Sequence, residues 1–165
     1  MSQEVEGLDM RAYRVDRRLF KAGDIVTQTG EYLTKLDSER IRVEKYLECA
    51  RPDAKPRRGQ VLFLFEFRPA AERFWTKEQN GKLYEVEIQG APFHCGDMGL
   101  TDEIFQVRAD AAHAREIADR YWREDKGSCP QIELLVKEAL VVEVIFTTET
   151  ERRRALAARA GIQLP

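Results

Sequence analysis

The stretch Cys129-Pro130-Gln131-Ile132-Glu133-Leu134-Leu135-Val136 sets a carboxylate inside an otherwise apolar run. Its character predicts a strand over residues 131–136. Residues i and i+2 of a strand point the same way, so Gln131 and Glu133 are expected on one face. A carboxylate among Ile132, Leu134, Leu135 and Val136 either faces water or has a chemical task there.

Working outward, the link Lys137-Glu138-Ala139 leads into a second apolar run, Leu140 to Phe146, and a charged helix is expected over residues 149–160. Upstream, Ala114, Ile117, Ala118 and Tyr121 recur at helical spacing after Asp110, with Gly127 as the expected stop. Thr101, followed by Asp102 and Glu103, predicts another helix start. Residues 89–100 hold three glycines and a proline and read as a loop. The alternation over Lys82 to Ile88 predicts a half-exposed strand, entered by an Asn80-Gly81 turn. Residues 60–67, Gln-Val-Leu-Phe-Leu-Phe-Glu-Phe, are apolar on both faces and read as a central strand. Pro69 suits the first turn of a helix carrying Phe74 and Trp75.

Nearer the start, Arg11 to Asp16 predicts the first strand, and Lys21-Ala22-Gly23-Asp24 a turn in which Gly23 can take positive φ. Residues 27–34 read as a loop. Asp37 or Ser38 can cap a helix running to about Ala50, which Pro52 and Pro56 end. A basic connector, Arg51 to Arg58, follows. Residues 1–10 read as a flexible tail and residues 11–165 as a single domain. The order of elements predicts an α+β fold with several non-adjacent strands rather than a regular βαβ array. Neither a Gly-x-Gly-x-x-Gly after the first strand nor a Walker loop occurs, which argues against a Rossmann or P-loop enzyme.

Bulk properties narrow the class. The chain has 165 residues, 43% hydrophobic and 34% charged, as expected for one globular domain. The formal net charge of -2 gives no global basic excess for gripping nucleic acid, although a local patch can suffice. The opening Met1-Ser2-Gln3-Glu4-Val5-Glu6 is acidic and unlike a secretory leader. Cys49, Cys95 and Cys129 are odd in number and widely spaced, which points to reduced thiols in the cytoplasm. His94-Cys95 fits no zinc spacing, so no metal is expected.

Three regions together resemble the ADP-ribosyltransferase superfamily. Tyr13-Arg14, followed by a spacer and Gly23-Asp24-Ile25, resembles the start of rifampin ADP-ribosyltransferases. Val61 to Phe67, leading into Ala70-Ala71 and Phe74-Trp75, is similar to their strand-then-helix unit. Gln131-x-Glu133 resembles the catalytic strand of the Gln-x-Glu enzymes. The chain looks closest to a family of small bacterial domains without assigned function that share the aromatic-Trp helix, Leu-Tyr-Glu-Val-Glu and Gly-Asp-Met. One departure stands out: Phe65-Glu66-Phe67 replaces the Ser-Thr-Ser type motif of many relatives.

The resemblance implies a split β-sheet core with flanking helices and NAD as a substrate. It implies that Tyr13 and Arg14 hold NAD, that Phe63 or Phe65 stacks on nicotinamide, and that Gln131 meets the acceptor. The catalytic acid is either Glu133 or, as in the rifampin-modifying branch, Asp97 in the loop after the preceding strand, with His94 alongside. The expected function is NAD-dependent mono-ADP-ribosyl transfer to a protein, nucleic acid or small molecule, as in bacterial toxins and drug-modifying enzymes. The alternative is an inactive module on the same fold that binds a ligand or partner. Each candidate also has a plain structural role: Phe63 and Phe65 as core, Asp97 as a turn residue, Glu133 on a solvent face.

Overall fold

The computed structural model describes residues 9–78 and 80–163. The predicted N-terminal tail lies outside the described residues except for Asp9 and Met10, and Met10 already opens a strand. The fold is α+β. In chain order the elements are β1 (Met10–Asp16), β2 (Ile25–Thr27), α1 (Ser38–Ala50), β3 (Leu62–Phe65), α2 (Arg68–Lys77) and β4 (Lys82–Ile88). There follow β5 (His94–Asp97), α3 (Met98–Gln106), α4 (Ala111–Trp122), β6 (Ile132–Val136), β7 (Glu138–Phe146) and α5 (Glu149–Arg159). No helix among the described residues is long and apolar enough to cross a membrane.

The chain divides into two compact units and passes between them four times, after Val26, Phe63, Gly90 and Glu138. The first unit takes in the chain up to Val26, Leu64–Gly90 and the chain from Ala139 onward. Its strands lie in the order β2-β7-β4-β1. β1 and β4 pair antiparallel from Met10↔Ile88 to Asp16↔Lys82, and Tyr13 pairs with Phe65. Val15, Ala71, Trp75 and Leu83 form its core, with the Trp75 ring stacked on Phe146 at 4.6 Å. The Trp75 indole N–H donates to the Gly81 carbonyl at 2.9 Å, so the buried ring keeps its polar edge satisfied.

The second unit, Thr27–Phe63 and Ala91–Glu138, packs α1, α3 and α4 around Leu47, Leu100, Ile104, Ile117, Tyr121 and Trp122. Full burial of each such aliphatic or aromatic side chain contributes roughly 1.5–3 kcal/mol. Trp122 donates its indole N–H to the Leu47 carbonyl at 2.7 Å, tying α4 to α1. β5 and β6 pair antiparallel, with Gly96 opposite Glu133 and Asp97 opposite Ile132.

Local boundaries depart from the sequence expectations for identifiable reasons. The predicted loop 89–100 contains β5, whose four residues gain their ladder from β6, far away in sequence. α3 starts three residues ahead of Thr101 because the Asp97 side chain caps it by accepting from the Gly99 N–H. α4 stops at Trp122 rather than near Gly127, and Glu124 takes the left-handed turn at φ 62°. The central strand is shorter than residues 60–67, because Arg58–Gln60 forms a 3-10 turn and α2 begins at Arg68.

Candidate functional site

The second unit buries a polar cluster centred on Arg58. Helix α1 turns Val43 and Leu47 into the core and carries Glu44 beside them. After α1 the chain returns through Pro56, and the 3-10 turn over Arg58–Gln60 aims the Arg58 side chain inward at 8% exposure. Its Nη1 donates to Glu133 Oε1 at 2.5 Å and also to the Tyr121 hydroxyl. Its Nε donates to Glu44 Oε2 at 3.0 Å, and its Nη2 to Glu44 Oε1 at 3.2 Å. The guanidinium carbon lies 4.8 Å from the Phe63 ring centre and 5.2 Å from that of Tyr121. One cation therefore joins two carboxylates and two aromatic rings.

The electrostatics follow from burial. Burial alone lowers the pKa of Arg58, but attraction from Glu133 first, then Tyr121, Glu44 and Tyr32, more than reverses this, so the guanidinium stays charged. Burial, reinforced by Glu133, raises the pKa of Tyr121 well above its usual value, so its hydroxyl is a hydrogen-bond donor. That hydroxyl donates to Glu133 Oε1 at 2.6 Å. Both protein hydrogen bonds to Glu133 thus fall on Oε1, and Oε2 accepts none from the described residues.

Gly96 makes this geometry possible. A Cβ there would lie 2.7 Å from the Tyr121 hydroxyl oxygen, inside the space the phenol occupies on its way to Glu133. The residue opposite Glu133 in the ladder is therefore the one that admits Tyr121.

The remaining predicted residues divide between the units. Asp97 is buried and bonded to backbone: Oδ1 accepts from Gly99 N at 2.8 Å and Gln131 N at 2.9 Å, and Oδ2 from Gly127 N at 2.8 Å. Gln131 is exposed and precedes β6, whereas Glu133 is buried within it. Phe63 packs on Tyr32 with ring centres 4.7 Å apart, and Arg58 bridges it to Glu133. Tyr13, Arg14 and Phe65 belong to the first unit. Phe65 packs on Phe74 at 5.4 Å, and Arg14 donates from Nε and Nη2 to Asp16 Oδ2 at 3.1 and 3.0 Å. Burial lowers the pKa of Arg14 against the opposing pull of Asp16.

His94 is fully buried between Tyr121 and Trp122, with ring centres 4.8 Å from each, and neither ring nitrogen makes a well-formed hydrogen bond among the described residues. Burial, aided by Lys55 and opposed by Glu124, holds its pKa down at about 4. The imidazole is therefore neutral near pH 7, and its 3.3 Å approach to Glu124 is not an ion pair. No group of three or more His, Cys, Asp or Glu suited to a metal occurs among the described residues.

Sequence reasoning singled out Glu133 and Phe63 but left Arg58 in a basic connector, Tyr121 among the apolar positions of a helix and Glu44 unmarked. The available signal was local: Arg57-Arg58-Gly59-Gln60 leads directly into the most apolar strand, where one arginine must turn inward or outward. Comparison with protein-family models finds no match, and comparison with curated protein sequences finds none either.

Proposed function

We propose that this chain is an NAD-dependent mono-ADP-ribosyltransferase with Glu133 as its catalytic carboxylate. The observation that carries the reading is the asymmetry of Glu133. Tyr121 and Arg58 fix Oε1, while Oε2 is left to accept a hydrogen bond from outside the protein. A carboxylate pinned by one oxygen is preorganised, which is the condition for electrostatic stabilisation of a transition state. NAD, as the substrate, supplies ADP-ribose on a weak glycosidic bond to nicotinamide. Oε2 accepts a hydrogen bond from the 2′-hydroxyl of the nicotinamide ribose. The negative charge faces the positive charge that builds at the anomeric carbon as nicotinamide departs. The acceptor then attacks from the face that nicotinamide has left.

The resemblance assigns Tyr13, Arg14 and Phe65 to NAD. Phe63 is the member of that set bridged to Glu133 by Arg58. Gln131, exposed just ahead of β6, is the acceptor contact in this reading. Asp97 is the weaker candidate acid, since three backbone N–H groups already engage its two oxygens. The setting is cytoplasmic, the mechanism needs no metal, and the acceptor is a protein, a nucleic acid or a small molecule. The second reading is a ligand- or partner-binding module on the same α+β fold. It is favoured by one feature: Arg58 neutralises the charge that the transferase chemistry uses.

The test is nicotinamide release from labelled NAD by the parent protein, Glu133→Gln, Asp97→Asn and Arg14→Ala. The expected result is release by the parent, reduced about 10²–10³-fold in Glu133→Gln. No release with cell lysate supplying acceptors, together with no NAD binding, overturns the transferase and leaves the binding module.

A further inference from the structure

Arg58 meets more negative charge than it needs. Glu133 alone neutralises it through Nη1, yet its other edge, Nε and Nη2, holds a second carboxylate, Glu44. Tyr32 also donates to Glu44 Oε1, at 2.7 Å, and its hydroxyl oxygen lies 3.4 Å from Arg58 Nη2. Three donors from two residues thus converge on the Glu44 carboxylate. This donor set also suits phosphate, since a guanidinium fork matches either anion in two parallel hydrogen bonds. Burial raises the pKa of Tyr32, which keeps its phenol a donor.

Arg58 and Glu44 both line a cleft. A cavity of about 410 Å³ is lined by Glu44 and Arg58, by the apolar side chains Leu33 and Ile41, by the cations Lys45 and Arg57, and by the carboxylate of Glu48. That size is within the usual span of small-molecule sites, roughly 300–1,000 Å³. Lys45 is exposed and has no ion-pair partner among the described residues, and Arg57 reaches Glu48 only at 3.5 Å. The cleft therefore offers two cations, apolar flanks and the Arg58–Glu44 pair in its lining, with Glu48 already partnered by Arg51 at 3.0 Å.

We propose that this cleft binds a small phosphate ester, and that Glu44 occupies the Arg58 fork in the ligand's place. The phosphate takes Nε and Nη2 of Arg58 and the Tyr32 hydroxyl, Glu44 swings out to solvent, and the organic body lies on Leu33 and Ile41. Glu44 is then an internal competitor that lowers apparent affinity by the fraction of time it holds the fork. The site goes beyond the transferase reading: it shares Arg58 with Glu133, but its binding does not require turnover.

The experiment is an amide NMR titration with phenyl phosphate, beside inorganic phosphate and phenol as its two halves. Phenyl phosphate is expected to shift the amides of Ile41, Lys45 and Gly59 and to bind more tightly than either half. Glu44→Gln is expected to tighten it about tenfold, and Lys45→Ala to weaken it about threefold. An unchanged affinity in Glu44→Gln, or shifts confined to other elements, overturns the proposal. If Glu44→Gln disturbs the fold, the exposed Lys45 decides: unchanged affinity in Lys45→Ala overturns it equally. NAD turnover is not read, so a failed transferase leaves this result standing, and the reverse.

Discussion

Each unit buries an arginine–carboxylate cluster, and the two have opposite proportions. In the first, one carboxylate lies between two guanidiniums. Asp16 Oδ2 accepts from Arg14 and from Arg18 Nη2 at 2.9 Å, while Oδ1 takes the Arg18 backbone N–H and Nε, both at 3.0 Å. In the second, one guanidinium lies between Glu44 and Glu133. Both Asp16 oxygens are engaged, and the cluster ties the end of β1 to the turn that follows it. The Arg58 cluster joins residues 75 positions apart and leaves one oxygen of Glu133 without a bond from the described residues. Saturation suits a structural role, and a carboxylate oxygen held in reserve suits chemistry.

The comparison is broken most forcefully by removing the shared cation. Arg58→Met keeps much of the buried stem but strands Glu44 and Glu133, and breaking such a buried pair costs about 3–5 kcal/mol. The chain's two tryptophans, Trp75 and Trp122, fall one in each unit, so single-tryptophan variants can report the units separately. Urea denaturation followed at Trp122 should show the loss. A midpoint unchanged in Arg58→Met would mean that the cluster is not held as described.

Acid should separate the units along the pH axis. His94, facing Lys55, Glu124 and Arg58, has its pKa lowered from 6.5 to about 4 in the folded protein. The unfolded chain binds the proton more readily, so this stability is complete above pH 6.5 and is lost as pH falls toward 4, by about 3 kcal/mol. Asp16 goes from 3.8 to about 2. Burial alone would raise it, but the bonds from Arg18 and the attraction of Arg14 outweigh that. Its contribution of about 2 kcal/mol is present above 3.8 and is lost as pH falls toward 2. The second unit should therefore weaken first, at Trp122, and His94→Phe should abolish that upper window. Equal loss at both tryptophans between pH 6.5 and 4 would count against the assignment.

Which features were legible in the chain follows the range of the interactions behind them. The spacing of Ala114, Ile117, Ala118 and Tyr121 marks α4 because helix burial repeats every few residues. Glu133 stands out because its apolar neighbours lie next to it in sequence. β5 was not legible, since His94-Cys95-Gly96-Asp97 is too short to show alternation and acquires its ladder from β6. The burial of Arg58 was hidden for the same reason. Its partners are at positions 44, 121 and 133, and an arginine after Pro56 reads as solvated until those groups are in place.

The finest comparison is between Asp97 and Glu133, two buried carboxylates on paired strands of one unit. Asp97 accepts from three backbone N–H groups, and Asp97→Asn keeps an oxygen for Gly99 and Gln131 but turns an amide N–H₂ toward the Gly127 N–H. Loss of that charge-assisted bond should cost about 1.5–3 kcal/mol, and the damage should be local, loosening the α3 cap and the Gly127 turn. On the proposed transferase reading, nicotinamide release per folded molecule should then stay near the parent's. In Glu133→Gln the ordering reverses. Tyr121 and Arg58 can still donate to the amide oxygen, so stability changes less than turnover. A variant set in which Asp97→Asn abolishes turnover at full folding, while Glu133→Gln retains it, would exchange the two assignments and move the acid to the junction of β5 and α3.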